Sequence, residues 1–186
     1  SAAVTLLKNK QLLPLNVTDV KKLHFVVANQ QELIALTNAA KSVLARVLPE
    51  GGVDNIAINY LVADSDESTK KVNMLLSEAD VVIATLDIKT ASLVDLGGMD
   101  DLMPSYGSAT QQQQKLTYAT LLKQQLTLAA KFKTPSILIA KGSPFLINEY
   151  SELADVVLLN FDDRIYESEN KEAVSPGFNA SMAVIV

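Results

Sequence analysis

The sequence has no cysteine. Disulfides, thiolate nucleophiles, Cys-ligated zinc and iron–sulfur clusters are therefore all excluded. It has one histidine, His24, so a multi-histidine metal site cannot be built within it, and no cofactor or metal is expected. Tryptophan is absent, and five Tyr with five Phe supply few rings for a stacking platform of the kind that holds sugars or single-stranded nucleic acid. Positive charge is also short. Sixteen Lys and Arg against 21 Asp and Glu leave a net charge of −5 and a pI near 4.9. Binding to nucleic acid needs a cationic surface that displaces counterions, so no nucleic-acid partner is expected. Long apolar runs are missing as well. Val81–Ala84 and Val156–Leu159 are typical lengths, far below the ~20 residues that cross a bilayer, and no membrane span is expected.

What remains is 186 residues, 48% apolar and 20% charged, the composition of one folded domain over 1–186. The first residues, Ser1–Leu7, lack the basic start and apolar stretch of a signal peptide, and read as a cut inside a longer chain. Localisation, whether bacterial cytoplasm or secreted and cell-surface, stays open.

Apolar runs alternate with helix-length amphipathic segments. Strands are predicted at Leu23–Ala28, Ile56–Ala63, Asp80–Leu86, Ser136–Ala140 and Val156–Phe161. Between the first two, Glu32–Leu48 sets Leu33, Leu36, Ala40, Val43, Leu44 and Val47 on one helical face, with Glu32, Asn38, Lys41, Ser42 and Arg46 largely on the other. Asp64 with Glu67 forms a capping-box pattern ahead of Val72, Leu75, Leu76 and Ala79. A long helix is predicted near Leu116–Phe132, with Tyr118, Leu121, Leu122, Leu126 and Ala129 inward. Ser143-Pro144 and Ser175-Pro176 are N-cap and N1 signals, the second opening a helix with Phe178, Met182 and Ile185. Continuous apolar strands, each followed by a helix, predict a three-layer α/β/α sandwich: doubly wound, with a mainly parallel sheet of about five to six strands.

One connection is too long. Asp87 to Lys115 carries Gly97-Gly98, Asp100-Asp101, Pro104, Tyr106-Gly107 and the Gln111–Gln114 tract, where 2–6 residues are usual. It reads either as an insertion or as a loop at the carboxyl edge of the sheet, where open α/β sheets bind ligands. No phosphate-loop pattern is present, and Ala140-Lys141-Gly142-Ser143-Pro144 reads as an ordinary link rather than an anion site. His24, within a strand run, reads as structural, with no G-x-S-x-G serine to pair with it. Asp100-Asp101 and Asp162-Asp163 invite comparison with glycosidases, but adjacent residues do not make two carboxyls across a scissile bond. A solvated turn is the better reading of Asp162-Asp163.

The opening Val4-Thr5-Leu6-Leu7-Lys8-Asn9, then Leu13-Pro14-Leu15, then Lys22–Val27, resembles the start of the C-terminal α/β sandwich domain of glycoside hydrolase family 3. Ala79–Ile83, Lys133–Ile139 and Gly142-Ser143-Pro144-Phe145-Leu146 continue the resemblance in order and spacing. The acidic "EG…DR…LP" segment of the β-glucosidase branch has no counterpart in Asp87–Lys115, so the chain looks more like the β-N-acetylglucosaminidase branch. The family's closing "nPsGkLPv" segment is missing too. The resemblance implies that an N-terminal (β/α) barrel, absent from this chain, carries the Asp nucleophile and His–Asp acid/base pair. His24 does not match that histidine, and no catalytic residue carries over. The implied partners are that barrel and a carbohydrate substrate with terminal β-linked sugar, N-acetylglucosamine from muropeptides or chito-oligosaccharides. The domain would wall the cleft and stabilise the barrel. Asp100, Asp101 and Tyr106 are the substrate-contact candidates by position in the fold. Two other readings stay open: a free-standing, non-catalytic α/β module that binds a ligand or protein, and a self-contained hydrolase using its own Asp pairs.

Overall fold

A computed structural model describes residues 3–63, 69–87, 109–142, 147–162, 164–168 and 172–186. Strands β1 (Val4–Asn9), β2 (Lys22–Val27), β3 (Ala57–Val62), β4 (Val81–Asp87), β5 (Ser136–Lys141) and β6 (Val156–Asn160) form one sheet in the order β1-β6-β5-β4-β2-β3. Every neighbouring pair is parallel except β1 against β6. Helices α1 (Gln30–Val47), α2 (Thr69–Ser77), α3 (Ala109–Phe132), α4 (Asn148–Ser151) and α5 (Pro176–Ile185) accompany it. A small hairpin pairs β7 (Tyr166–Glu167) with β8 (Ala173–Val174). The predicted doubly wound sandwich is what the chain forms.

Period-two alternation divides the core. Leu23, Phe25, Val81, Ile83, Ile137, Ile139, Val156 and Leu158 face α1 and α5. Val26, Val82, Ala84, Leu138, Val157 and Leu159 face the layer that includes Leu76 of α2 and Leu122 and Leu126 of α3. β5 and β6 are buried at every position, the signature of strands covered on both sides. β1 escaped the sequence reading because it is an edge strand: Leu6 and Leu7 are exposed, and a bulge between Leu6 and Lys8 interrupts the pairing. Lys8 holds its place by donating to the carbonyls of Ser151 and Ala154 behind α4.

Helix boundaries follow local chemistry. Asn29 caps α1 by accepting from the Glu32 amide at 2.9 Å, and the Glu32 carboxylate reaches back to the Ala28 amide at 3.2 Å. Two residues of α1 depart from the predicted faces: Val47 is exposed, and Glu32 is buried. α3 starts earlier than predicted, since the Gln tract consists of acceptable helix formers. Ser175 accepts from the Phe178 amide at 3.2 Å with Pro176 in the first turn, as the sequence predicts. The Asp64–Glu67 and Ser143-Pro144 signals lie outside the described residues.

Gly177 of α5 is required by a close approach. A Cβ there would stand 2.0 Å from Asn160 Nδ2 and 2.2 Å from the Asp162 carbonyl. α5 thus seats directly on the end of β6.

Candidate functional site

Counted along the parallel strands alone, the order is 2-1-3-4-5, and the winding direction reverses between β2 and β4. In open α/β sheets the crevice beyond the carboxyl ends at that reversal is where ligands bind. The residues delivered there come from four elements. β4 and β5 bring Thr85 and Lys141, each two positions beyond a residue of the α1/α5 core face. α1 brings Glu32 in its first turn, and α3 brings Tyr118 from the opposite layer.

These four side chains close on one another. Lys141 Nζ donates to Glu32 Oε1 at 2.6 Å, with both side chains 7% exposed or less. Thr85 Oγ1 donates to Glu32 Oε2 at 2.8 Å, beside the Ala28 amide. The Tyr118 hydroxyl donates to the Thr85 carbonyl at 2.5 Å and lies 3.2 Å from the Val26 carbonyl, so it bridges the two strands where they diverge. Burial, then the Glu32 carboxylate, push the Tyr118 phenol far above its usual range. The Lys141 ammonium also lies 5.5 Å from the centre of the Phe178 ring of α5. The Lys141 charge is thus spent inside the protein, which agrees with reading 140–144 as a link and not an anion site.

Farther along the edge, Asn160 ends β6 in register with Lys141. Its Oδ1 accepts from the Asp162 amide at 2.9 Å. Asp162 is held by Arg164 through two bonds, Nε to Oδ1 at 2.9 Å and a terminal nitrogen to Oδ2 at 2.7 Å. The Arg164 guanidinium brings its carboxyl down to about 2. A carboxylate so held stays ionised at any ordinary pH and cannot serve as a general acid. Asp163 lies outside the described residues. Asp100, Asp101 and Tyr106 do as well. His24 is completely buried in β2, as a structural histidine would be. Among the described residues, no group of three or more His, Asp or Glu is gathered to hold a metal.

Sequence reading missed Glu32, Thr85 and Tyr118 as a unit. Two signals were present. Asn29 and Glu32 have capping-box spacing directly after a strand, and Lys141 ends an apolar run as a charge in need of a partner.

No family model matches the chain. A curated relative, Beta-hexosaminidase A of Pseudoalteromonas piscicida, is 24% identical over 187 aligned residues, which take in all of this chain and 29% of that protein. Among solved structures, a fungal multi-domain GH3 beta-N-acetylglucosaminidase superposes with a TM-score of 0.55 at 17% identity, covering 98% of this chain and 16% of the other. A beta-glucosidase of saponin metabolism from intestinal bacteria gives 0.51 at 10% identity, over 98% of this chain and 29% of its own. The chain spans less than a third of each. The resemblance carried by the opening residues therefore holds along the whole sequence: this chain is similar to the α/β sandwich region of much larger family 3 glycoside hydrolases.

Proposed function

We propose that the chain is the C-terminal sandwich domain of a family 3 glycoside hydrolase and contributes no bond-breaking group. The observation that carries this reading is the filled switch point. Where an α/β domain with its own chemistry would present an acid, a base or a nucleophile to a ligand, Glu32, Lys141, Thr85 and Tyr118 satisfy one another. The parent enzyme, in this reading, removes terminal β-linked N-acetylglucosamine from muropeptides or chito-oligosaccharides. Its barrel runs the double displacement with acid/base assistance at the leaving oxygen. The sandwich walls one side of the cleft and stabilises the barrel, and Asp100, Asp101 and Tyr106 reach the substrate from the segment after β4.

The test compares the 186-residue chain with the parent protein on a nitrophenyl β-N-acetylglucosaminide. The chain alone should give no turnover above buffer and the parent should give robust turnover. Hydrolysis by the purified chain would overturn the division of labour. In the parent, Tyr106→Ala should raise KM about tenfold with kcat little changed, the mark of lost substrate binding.

A further inference from the structure

The two margins of the sheet are built differently. β1 carries a bulge and a lysine, devices that keep a strand edge from pairing with another chain. β3, at the opposite margin, has neither. Ala57–Val62 contains no charge, proline or glycine and aligns residue for residue with Lys22–Val27. The Ala57 amide donates to the Lys21 carbonyl, and the Ala63 amide to the Val27 carbonyl. In a parallel pair, alternate residues turn both backbone groups toward the neighbour. The odd-numbered residues of β3 therefore bond β2, and Ile58 and Tyr60 point their N–H and C=O groups outward. Those groups meet no backbone partner among the described residues.

The side chains of Ile58 and Tyr60 lie on the α1 face, beside a groove of about 420 Å³. Its reachable apolar surface is Ile34 of α1, 42% exposed, Tyr60, 43% exposed, and the partly exposed Ile58. Polar Thr37 and the exposed Lys41 continue the α1 wall. α1 runs back between two parallel strands, so Gln30 marks the Tyr60 end of the groove and Lys41 the Ile56 end. No acid lines the groove, and Lys41 has no ion pair among the described residues.

Outward backbone groups along an edge are matched by extended polypeptide, and a groove beside them takes every second side chain. Lys41 asks that this polypeptide be acidic. A second copy of the chain does not answer it. Two β3 strands about a twofold axis run antiparallel, which carries each Lys41 to the Gln30 end of the other α1. There Glu32 is buried and already paired with Lys141.

We propose that the β3 margin takes up an extended segment of another protein as an added strand, with aliphatic side chains at alternate positions and a carboxylate near Lys41. The segment exchanges backbone bonds with Ile58 and Tyr60, and its aliphatic side chains lie against Ile34 and Tyr60. The contacts are few, so the Kd is about 1 mM. The inference is independent of the glycosidase reading.

The test uses the 186-residue chain and the capped peptide Glu-Val-Thr-Val-Thr-Val-Thr-Glu, which brings an acid to Lys41 in either direction. Amide hydrogen exchange, read from nitrogen-15 spectra, should slow about tenfold at Ile58 and Tyr60 with peptide at about ten times its Kd, and stay unchanged at Ala57, Asn59 and Leu61. No slowing, or equal slowing along β3, would overturn the proposal. A peptide with Lys in place of both Glu should bind about tenfold more weakly, and Lys41→Glu should reverse that preference. A preference unmoved by Lys41→Glu would refute the charge assignment. Tyr60→Lys, at an exposed position, should abolish the protection with Tm little changed; undiminished protection counts against the site. Slow exchange at Ile58 and Tyr60 without peptide would show the edge already covered and would also overturn the proposal. Sedimentation velocity then tells a second copy from the chain's own residues.

Discussion

Two polar clusters lie near the carboxyl end of the same sheet and differ in one respect. At the switch point, every donor around Glu32 has an acceptor, and the strands are bridged by Tyr118. Between α2 and α3, Asn73 and Gln125 present oxygens that nothing among the described residues meets. The first cluster is closed and leaves a ligand nothing to bind. The second is unfinished, with its oxygens buried and no donor among the described residues. Position at the ligand edge of an α/β sheet therefore does not by itself mark a site.

The contrast can be broken most severely at Lys141. Lys141→Met leaves a buried carboxylate without its cation, and should lose about 3–5 kcal/mol in urea unfolding. Glu32→Leu combined with Lys141→Met should recover most of that, because the charge is then removed along with its partner. If the single and double variants are equally unstable, the cluster matters through packing and not through charge.

Tyr118→Phe is next, at about 1–2 kcal/mol, since the Thr85 and Val26 carbonyls lose a donor. It also has a pH signature. The folded phenol ionises well above its ordinary 10.0, so its contribution is complete below about pH 10 and is lost as pH rises past that value. The unmodified protein should lose stability steeply in alkali, and Tyr118→Phe should flatten that slope. Equal slopes would mean that another group governs alkaline unfolding. Smallest is Gln125→Leu, which should gain about 1 kcal/mol, the opposite sign to the changes at the closed cluster.

Much of the architecture could be read from the residues. β2, β4, β5 and β6 are buried on both faces, so their runs stand out with ends correct to a residue or so. β1 has no fully buried position to stand out as a core run, and β7 and β8 are two residues each, too short for any periodicity. The candidate site was less legible. Glu32 looks like a polar-face residue of α1, and nothing local reveals that its counter-ion sits 109 positions away. The buried Gln125 was passed over although its place, four after Leu121 and four before Ala129, lies on the inward face of α3, because its residue type reads as polar surface.

The antiparallel strand at the sheet's margin bears on how the chain reaches its final form. β1 is near the start of the sequence, yet its partner β6 comes after four other strands. The Leu15 amide also bonds the Ile185 carbonyl, tying the opening loop to the last helix. Contacts so distant in sequence carry a large loop-closure cost and slow assembly. The opening segment must wait, unpaired, until β6 and α5 have been synthesised. Amide exchange should therefore be fastest in β1 among the six strands, and this margin is where a chaperone or protease would find the young chain first.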